Sequence, residues 1–515
     1  LFPVPCSLFP NMPLPPNSPR LQPVIDYIRD TWITLTRTQA HILEAARDSK
    51  IDRPPGSPWI VYISPQEDRD LVQAELKEIL PPSELTQIEL RILPPEMDQI
   101  DEHGLLYLPK SYVVPGGRFN ELYGWDSYFI GLGLLRDGEL DLAQNTVDLL
   151  VYEIEHYGTV LNANRSYMLE RSHPPLLARG ALEVFAYTED RDWLRSLLPA
   201  LERYYFYWTV PPHLNSSTGL SRYYTRVTTP APEVVNSERD EHGRTHYERV
   251  RDYYRHYPVE AYDLSLFYNR NSDSLTELFY QGDRAMRESG FDITNRFGPF
   301  SADIIHYVPV CLNVLLYQME RDIAEIHHLM GHWDSVEVWK KYAHNRQQEI
   351  DRFLWNEEIG LYFDYNFRTE TRGTYEFVTT FMPLWAGLAS PEQAQRLVDN
   401  LPKFETKGGL LTSTHISGNQ WDAPFGWAPL QLFALKGLRR YGYHDEADRL
   451  TEKFINVVVT EFENSGTLVE KYDVERCSAD VSDEILFGYS SNEIGFGWTN
   501  GVVRELIHDW QQRSP

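Results

Sequence analysis

Residues 115–129 read PGGRFNELYGWDSYF, and from this point onward the chain becomes a succession of helical patterns. Two glycines directly after a proline favour an irregular backbone at the start of the segment. The residues that follow mix an arginine, two carboxylates and several aromatic rings, as functional loops often do. The segment therefore predicts a functional loop that introduces a helical domain.

Downstream of this segment, apolar residues recur with the i, i+3, i+4, i+7 spacing of amphipathic helices. Two such sets are Val147, Leu150, Val151, Ile154 and Leu312, Leu315, Leu316, Met319. Further helices are predicted at about 176–187, 190–208, 274–288, 332–355, 374–388, 391–401, 425–441, 443–461 and 496–511. Strand-type alternation is scarce, and no low-complexity linker divides residues 120–511. The pattern predicts one all-α domain built as a closed ring of helical hairpins.

Upstream of the segment the patterns are weaker. Residues 1–24 contain eight prolines, which predicts an extended N-terminal arm. Residues 25–48 have a helical apolar face. Residues 59–63 (WIVYI) fit either a short strand or an extended segment.

Charge and cysteine content exclude several classes of protein. With 75 acidic and 48 basic residues, the net charge is −27, which argues against nucleic-acid partners and anionic membrane surfaces. No run of 18 apolar residues occurs. Cys6, Cys311 and Cys477 have neither disulfide-framework nor metal-ligand spacing. A soluble, monomeric protein is expected, and its compartment stays open between the cytoplasm and the periplasm or secretion.

Several further segments concentrate arginines, carboxylates and aromatic rings. They are NANRSYMLERSHPP (162–175), RESGFDITNRF (287–297), QWDAPFGWAP (420–429), VEKYDV (469–474) and GFGWTN (495–500). This mixture suits a neutral sugar, because rings stack on sugar faces while charged groups bind hydroxyls. Hydrolysis of a glycosidic bond needs two carboxyl groups. The candidates in such contexts are Asp126, Asp292, Asp422, Glu470 and Glu493.

PGGRFNELYGWDSY and QWDAPFGWAP resemble the two signatures of the inverting trehalases, glycoside hydrolase family 37. The other segments resemble further parts of that family, so that the likeness covers about residues 110–510. The resemblance implies an (α/α)6 barrel and hydrolysis of α,α-trehalose to two glucose molecules with inversion. It implies no cofactor and no metal. Three parts are expected: the proline-rich arm (1–24), an extension packing on the barrel (25–110) and the catalytic domain (111–515). The first hundred residues lie largely outside the resemblance, and contacts between chains are the alternative role for them.

The resemblance also implies roles for individual residues. Asp292 matches the general acid and Glu470 the general base, with carboxyl groups about 6.5–9.5 Å apart to leave room for water. Asp292 should have a pKa raised by burial or nearby negative charge, and an arginine next to Glu470 would keep that group ionised. The expected substrate-binding residues are Arg118, Phe119, Trp125, Asp126, Asn162, Arg171, His173, Glu233, Gln420, Trp421, Asp422, Glu493, Phe496 and Trp498.

Three positions depart from the family pattern. His173 stands in place of a glutamine and is expected to change charge with pH. Ala231 stands in place of an arginine; either Arg222 or Arg226 compensates for it, or the site resembles relatives that lack the arginine. Residues 477–494 hold one glycine instead of a glycine-rich run, which predicts a lid that is less flexible or differently hinged. The altered lid and Ala231 keep other functions open. The alternatives are a related glycosidase acting on another α-glucoside and a weakly catalytic trehalose-binding protein.

Overall fold

The computed structural model describes residues 14–51, 53–235, 239–240, 242–481, 485–488 and 492–513. The helices in these ranges are α1 (Leu21–Leu35), α2 (Ile42–Ala46), α3 (Arg69–Ile79), α4 (Pro82–Leu85), α5 (Asp126–Asp137), α6 (Leu140–His156), α7 (Leu177–Thr188), α8 (Arg191–Thr209), α9 (Pro232–Val235), α10 (His246–His256), α11 (Glu277–Glu288), α12 (Val310–Met330), α13 (Trp333–Phe353), α14 (Met382–Ala386), α15 (Pro391–Asn400), α16 (Ala428–Arg440), α17 (His444–Ser465) and α18 (Gly497–Arg513).

Short strands lie mainly in the connections between helices. They are β1 (Thr36–Arg37), β2 (Trp59–Ile63), β3 (Ile88–Ile92), β4 (Leu105–Leu106), β5 (Tyr112–Val113), β6 (Leu214–Asn215), β7 (Leu220–Ser221), β8 (Tyr268–Asn269), β9 (Ser274–Leu275), β10 (Tyr307–Val308), β11 (Trp355–Asn356), β12 (Leu361–Tyr362), β13 (Tyr365–Asn366), β14 (Thr371–Arg372), β15 (Phe425–Gly426) and β16 (Tyr472–Asp473). All but β2 and β3 have two residues, so the strands brace loops rather than form layers.

The inner layer of the fold is a closed ring of six helices. In order around the ring, α5, α7, α12, α14, α16 and α18 each contact the next, and α18 returns to α5. The outer layer consists of α6, α8, α13, α15, α17 and α1. Inner helices are apolar on most sides, whereas outer helices need only one apolar stripe: α12 buries 16 of its 21 residues, α13 only five of 21. The chain is therefore an (α/α)6 barrel, as predicted.

The ring closes where the last inner helix crosses the first. A Cβ atom on Gly501 of α18 would lie 2.0 Å from the carbonyl oxygen of Phe129 in α5. A Cβ atom on Gly133 of α5 would lie 2.6 Å from the Cα of Gly501. The two helices can approach this closely because both positions lack side chains.

The N-terminal region contributes to two structures. Helix α1 contacts α17 and α18 and so takes the twelfth position of the barrel, and its Trp32 Nε1 donates to Asp137 Oδ2 of α5 at 2.8 Å. Strand β2 pairs in parallel with β3 and β4, and α3 and α4 form the crossover between β2 and β3. WIVYI is thus a strand. Residues 1–13, most of the predicted arm, lie outside the described residues.

The predicted helices downstream of residue 120 are confirmed, with boundaries that differ by a few residues, except the helix expected over 374–388. That prediction and the one over 25–48 were too long. The helix expected over 25–48 ends at Leu35, because Thr36 and Arg37 pair with β5 before α2 begins. The helix expected over 374–388 is a 3-10 turn (Val378–Phe381) followed by the short α14. Among the described residues, no helix is long and apolar enough to span a membrane.

Candidate active site

A cavity opens at the end of the barrel where the inner helices α5, α7, α16 and α18 begin. It holds about 1060 Å³ of space, part of which is open solvent at its mouth. Fourteen of the sixteen predicted site residues line it: Asp292, Glu470, Arg118, Phe119, Trp125, Asp126, Asn162, Arg171, His173, Glu233, Gln420, Trp421, Phe496 and Trp498. Asp422 and Glu493 are not among the lining residues.

The acid segment, residues 287–296, follows α11 and is held by three consecutive residues of the QWDAPFGWAP segment. Gln420 Nε2 donates to the carbonyl oxygen of Asp292. The backbone N–H of Trp421 donates to the carbonyl oxygen of Ile293 at 3.1 Å. Asp422, the third of these residues, is fully buried. Its carboxylate does not face the cavity but holds the backbone that carries Asp292.

Four donors converge on the carboxylate of Asp422. Two come from the acid segment: Thr294 Oγ1 at 2.9 Å and the backbone N–H of Asn295 at 3.0 Å. The other two are the hydroxyls of Ser413 at 2.9 Å and Ser417 at 2.6 Å. This role of Asp422 differs from the substrate contact that the resemblance implies.

The carboxyl group of Asp292 faces the cavity, and 37% of its side chain is exposed there. Enclosure by the cavity walls raises the pKa of Asp292 to about 6. Arg287, whose Nη1 lies 3.4 Å from Asp292 Oδ2, lowers this pKa, and Glu470 raises it. Because Arg287 also pairs with Asp283 at 3.1 Å, its charge is shared between two carboxylates. Asp292 is therefore suited to donate a proton near neutral pH.

The base segment, residues 468–474, is held by the chain that leads into α18. The backbone N–H of Glu470 donates to the carbonyl oxygen of Glu493 at 2.9 Å. Trp498 Nε1 donates to the carbonyl oxygen of Glu470 at 3.2 Å. Asn492 accepts from the N–H of Lys471 at 3.2 Å and donates to its carbonyl oxygen at 2.8 Å.

The carboxylate of Glu470 has a cation as its immediate neighbour. Lys471 Nζ donates to Glu470 Oε2 at 2.9 Å, and both residues are almost completely buried. Burial lowers the pKa of Lys471, and the negative charge of Glu470 opposes this change. A lysine thus lies beside Glu470 and balances its charge.

Asp126 is a third carboxyl group of the cavity. It is the first residue of α5 and is 4% exposed. Burial raises the pKa of Asp126 well above its usual value, and the charges of Glu470 and Asp292 raise it further. Burial and the neighbouring carboxyl groups therefore favour the protonated form of Asp126, in which a carboxyl group can donate a hydrogen bond.

Aromatic rings form one wall of the cavity. Trp125 packs edge-on against Trp498, with ring centroids 5.8 Å apart, and tilted against Trp421 at 6.3 Å. Trp427 stacks on Trp421 at 3.8 Å from behind and is fully buried. The ring of Phe119 meets that of Phe496 edge-on at 5.7 Å. The wall offers flat apolar surface to a sugar and is rigid because each ring packs against another.

Arg118 and Glu493 connect the first signature loop to the base segment. The N–H of Arg118 donates to Glu493 Oε2 at 3.1 Å. Gly117 makes this approach possible: its φ is +59°, and a Cβ atom there would lie 1.9 Å from Glu493 Oε2. Glu493 therefore supports the loop that carries Arg118, and the guanidinium of Arg118 lies 5.3 Å from the ring of Phe119.

Arg171 forms an ion pair with Glu233 inside the cavity. Burial raises the pKa of Glu233, but the charges of Arg171 and Arg287 outweigh it and keep this pKa below its usual value. His173 accepts a hydrogen bond from the N–H of Trp125 at 3.2 Å through Nδ1. The expected pH-dependent charge of His173 is wrong, because burial, together with Arg171, lowers its pKa well below the usual value.

Neither arginine proposed to compensate for Ala231 lines the cavity. Arg222 donates to the carbonyl oxygens of Pro212 and Ile305, and Arg226 is exposed. Ala231 itself is fully buried. The arginines that do line the cavity are Arg118, Arg171, Arg249 and Arg287.

Sequence reasoning did not assign Lys50, His246, Arg249, Arg287 and Gly488 to the site, yet all five line the cavity. Lys50 Nζ donates to Glu121 Oε1 at 2.8 Å, and Arg165 Nε donates to the same oxygen at 2.8 Å. This buried cluster ties the N-terminal region to the first signature loop. Arg287 stands in the quoted segment RESGFDITNRF, but Lys50 carries no motif that could have identified it.

The predicted lid falls partly outside the described residues, which omit 482–484 and 489–491. In the described part, Gly488 lies over Gln420, whose Cδ is 2.9 Å from the position of a Gly488 Cβ. Arg249 of α10 donates to the carbonyl oxygen of Leu486 at 3.1 Å. Residues 485–488 therefore lie between α10 and Gln420, one of the residues that hold the acid segment.

The closed helical ring, the aromatic wall and two carboxyl groups in contrasting environments define an (α/α)6-barrel glycoside hydrolase. The family profile described as Trehalase matches residues 33–511, and the chain belongs to the trehalase family. It is 38% identical to the cytosolic neutral trehalase of Kluyveromyces lactis, over 91% of this chain and 68% of that protein.

Two solved structures are also similar. Neutral trehalase Nth1 from Saccharomyces cerevisiae superposes with a TM-score of 0.80 at 34% identity, over 96% of this chain and 94% of that one. The GH63 mannosylglycerate hydrolase of Thermus thermophilus superposes with a TM-score of 0.51 at 17% identity, over 76% of this chain and 95% of that one. The second likeness concerns the fold alone.

Proposed function

We propose that this chain hydrolyses α,α-trehalose to two glucose molecules with inversion at the attacked carbon. The observation that carries the proposal is the contrast between Asp292 and Glu470 in one cavity. Membership of the trehalase family and the identity to the neutral trehalase of Kluyveromyces lactis support trehalose as the substrate.

Asp292 acts as the general acid and protonates the glycosidic oxygen. Its pKa of about 6 leaves about one-tenth of the molecules protonated at pH 7 and brings the acid close to the pH at which proton transfer is efficient. Glu470 acts as the general base on a water molecule at the opposite face of the ring. The ammonium of Lys471, 2.9 Å away, favours the ionised form that a base requires.

The remaining lining residues hold the two sugar rings. The Trp125, Trp421 and Trp498 wall offers apolar faces, while Arg118 and Arg171 donate to hydroxyls. Asp126, whose protonated form burial favours, adds a further hydrogen-bonding group to the cavity lining. Contacts that strengthen as the attacked ring flattens toward an oxocarbenium ion contribute to kcat.

We further propose that the protein acts as a monomer on this small substrate, without a cofactor, nucleic acid or membrane as partner. The net charge of −27 supports the exclusion of polyanionic partners.

Proton NMR of purified protein with trehalose tests substrate and stereochemistry together. Inversion releases one glucose as the α anomer and yields the other as the β anomer, so equal amounts are expected in the first minutes. Only α-glucose would mean retention and would overturn the roles of Asp292 and Glu470. Release of glucose from maltose or sucrose, but not from trehalose, would replace trehalose with another α-glucoside.

A further inference from the structure

A histidine at the start of α10 lines the cavity without a hydrogen-bond partner for one of its ring nitrogens. His246 is 4% exposed, and its Nε2 has no partner among the described residues. Buried polar atoms in native proteins are nearly always hydrogen-bonded to protein or to ordered water. Since His246 borders the same cavity as Asp292 and Glu470, a ligand in that cavity can provide the missing partner.

Contacts that involve no ligand fix the position of His246. Thr245 and Glu248 form a capping box, in which Glu248 Oε2 accepts from the N–H of Thr245 at 2.7 Å. The next residue, Tyr247, donates to Asp283 Oδ2 at 2.8 Å and accepts from the N–H of Ala231 at 3.0 Å. Hydrogen bonds thus hold the residues on both sides of His246, so its imidazole is positioned before a ligand binds.

The imidazole of His246 is neutral over the range in which the enzyme works. Burial lowers the pKa of His246 to about 3; Asp283 opposes this, whereas Arg287 and Arg249 add to it. A neutral imidazole has one donor and one acceptor nitrogen, and a sugar hydroxyl can match either. The atom therefore fits an uncharged polyol better than an anion or a cation.

We propose that Nε2 of His246 hydrogen-bonds a hydroxyl group of the bound disaccharide, on the side of the cavity that carries Arg287 and Asp292. His246 is then a specificity-determining residue that distinguishes a glucose ring from a ring lacking that hydroxyl. The inference rests on the proposed function, because it takes the occupant of the cavity to be trehalose.

The test compares His246→Phe with the unchanged chain on trehalose and on its 2-, 3-, 4- and 6-deoxy analogues. Phenylalanine keeps the ring contacts to Tyr247 and Phe300 but removes both nitrogens. We expect kcat/KM on trehalose to fall about tenfold. With the unchanged chain, we also expect kcat/KM on one deoxy analogue to be about tenfold lower than on trehalose. With His246→Phe, removing the same hydroxyl should lower kcat/KM little further, because the hydroxyl and its partner act as a pair.

Two further variants separate binding from folding. His246→Gln can place an amide nitrogen near the Nε2 position, so it should recover part of the kcat/KM that His246→Phe loses. His256→Phe makes the same substitution at the exposed end of α10, and its kinetics should be unchanged. If His246→Phe does not fold, the deoxy series is measured with His246→Gln, in which the discrimination against that analogue should shrink.

If every deoxy analogue lowers kcat/KM by the same factor in the unchanged chain and in His246→Phe, the inference is overturned. His246 would then have a structural role only. Normal kcat/KM in His246→Phe would do the same while trehalose hydrolysis stands. If the unchanged chain releases no glucose from trehalose, the proposed function fails, and the inference about His246 fails with it.

Discussion

The two carboxyl groups of the cavity are held in opposite ways. Asp292 exposes 37% of its side chain to the cavity and shares the charge of Arg287, 3.4 Å away, with Asp283. Glu470 is 1% exposed and lies 2.9 Å from the ammonium of Lys471. An enclosed carboxyl group with a shared cation keeps its proton to higher pH, whereas direct pairing with a buried cation favours ionisation. The difference supports the proposed roles of Asp292 as acid and Glu470 as base.

The anchors of the two segments come from different parts of the chain. The acid segment (287–296) is clamped by residues 420–422, and the base segment (468–474) by residues 492–499. The two halves are joined behind the carboxyl groups, because strand β15 of the QWDAPFGWAP segment pairs with β16 of the base segment. The comparison teaches that each carboxyl group depends on its own immediate neighbours, and substitutions at those neighbours can test each one.

Removing either carboxyl group should have the largest effect. Asp292→Asn and Glu470→Gln are each expected to lower kcat at least 100-fold, because a proton-transfer group typically contributes about 10²–10⁴-fold. Steady-state kinetics on trehalose checks this, with Asp322→Asn as the control, because Asp322 is a buried carboxyl group of α12 that does not line the cavity. Near-normal turnover in either variant would remove that residue from its assigned role.

Lys471→Met should impair Glu470, the proposed base. Without its ammonium neighbour, the buried carboxylate of Glu470 is more easily protonated, so kcat should fall at least tenfold. The loss should be greatest at low pH, with KM little changed. The pH profile of kcat is the measurement.

Lys436→Met is the matched control for that substitution. Lys436 pairs with the buried Glu505 at 2.5 Å, between α16 and α18 and away from the lining residues of the cavity. It should lower the melting temperature as Lys471→Met does but leave kcat unchanged. Equal kinetic losses in the two variants would show that Lys471 acts through stability alone.

Asp422→Asn should weaken the support of Asp292, since the amide cannot accept all four hydrogen bonds that reach the carboxylate. We expect kcat to fall about fivefold to tenfold, because misplacing a reacting group by a fraction of an ångström is costly. Ser417→Ala removes one of the four donors and should give a smaller loss. Kinetics that respond only in KM would instead favour a substrate contact for Asp422.

Arg287→Gln should shift a pH limb more than it changes the maximal rate. The acid works in its protonated form, so activity falls as pH rises through the pKa of Asp292, about 6. Arg287 lowers that pKa, so its removal should move the alkaline limb of kcat/KM upward, to about pH 7 or above. An unchanged or lowered limb would mean that another group controls it.

Much of the fold follows from local sequence patterns. The apolar spacing in α6 and α12 and the positions of α7, α8, α13, α16 and α17 were predicted within a few residues. The loops that break this rhythm proved to be those that line the cavity. Such features can be predicted from the sequence, because helical periodicity and loop composition are properties of neighbouring residues.

Other features depend on contacts between residues far apart in the chain. Helix α1 completes the outer layer by packing against α17 and α18, which lie more than 400 residues later in the chain. Lys50 reaches the cavity through its bond to Glu121, and no motif surrounds it. His246 stands in a polar helix whose sequence resembles an ordinary solvated surface.

The sequence by itself determined the helical succession, the family likeness and the two carboxyl groups, because each is written in contiguous segments. The tertiary structure decided which cations neighbour those carboxyl groups, that Asp422 clamps the acid segment, and that His173 stays neutral. These outcomes depend on burial and on distances of about 3 Å between separate segments, which fix pKa values and hydrogen bonds. No spacing along the chain contains that information.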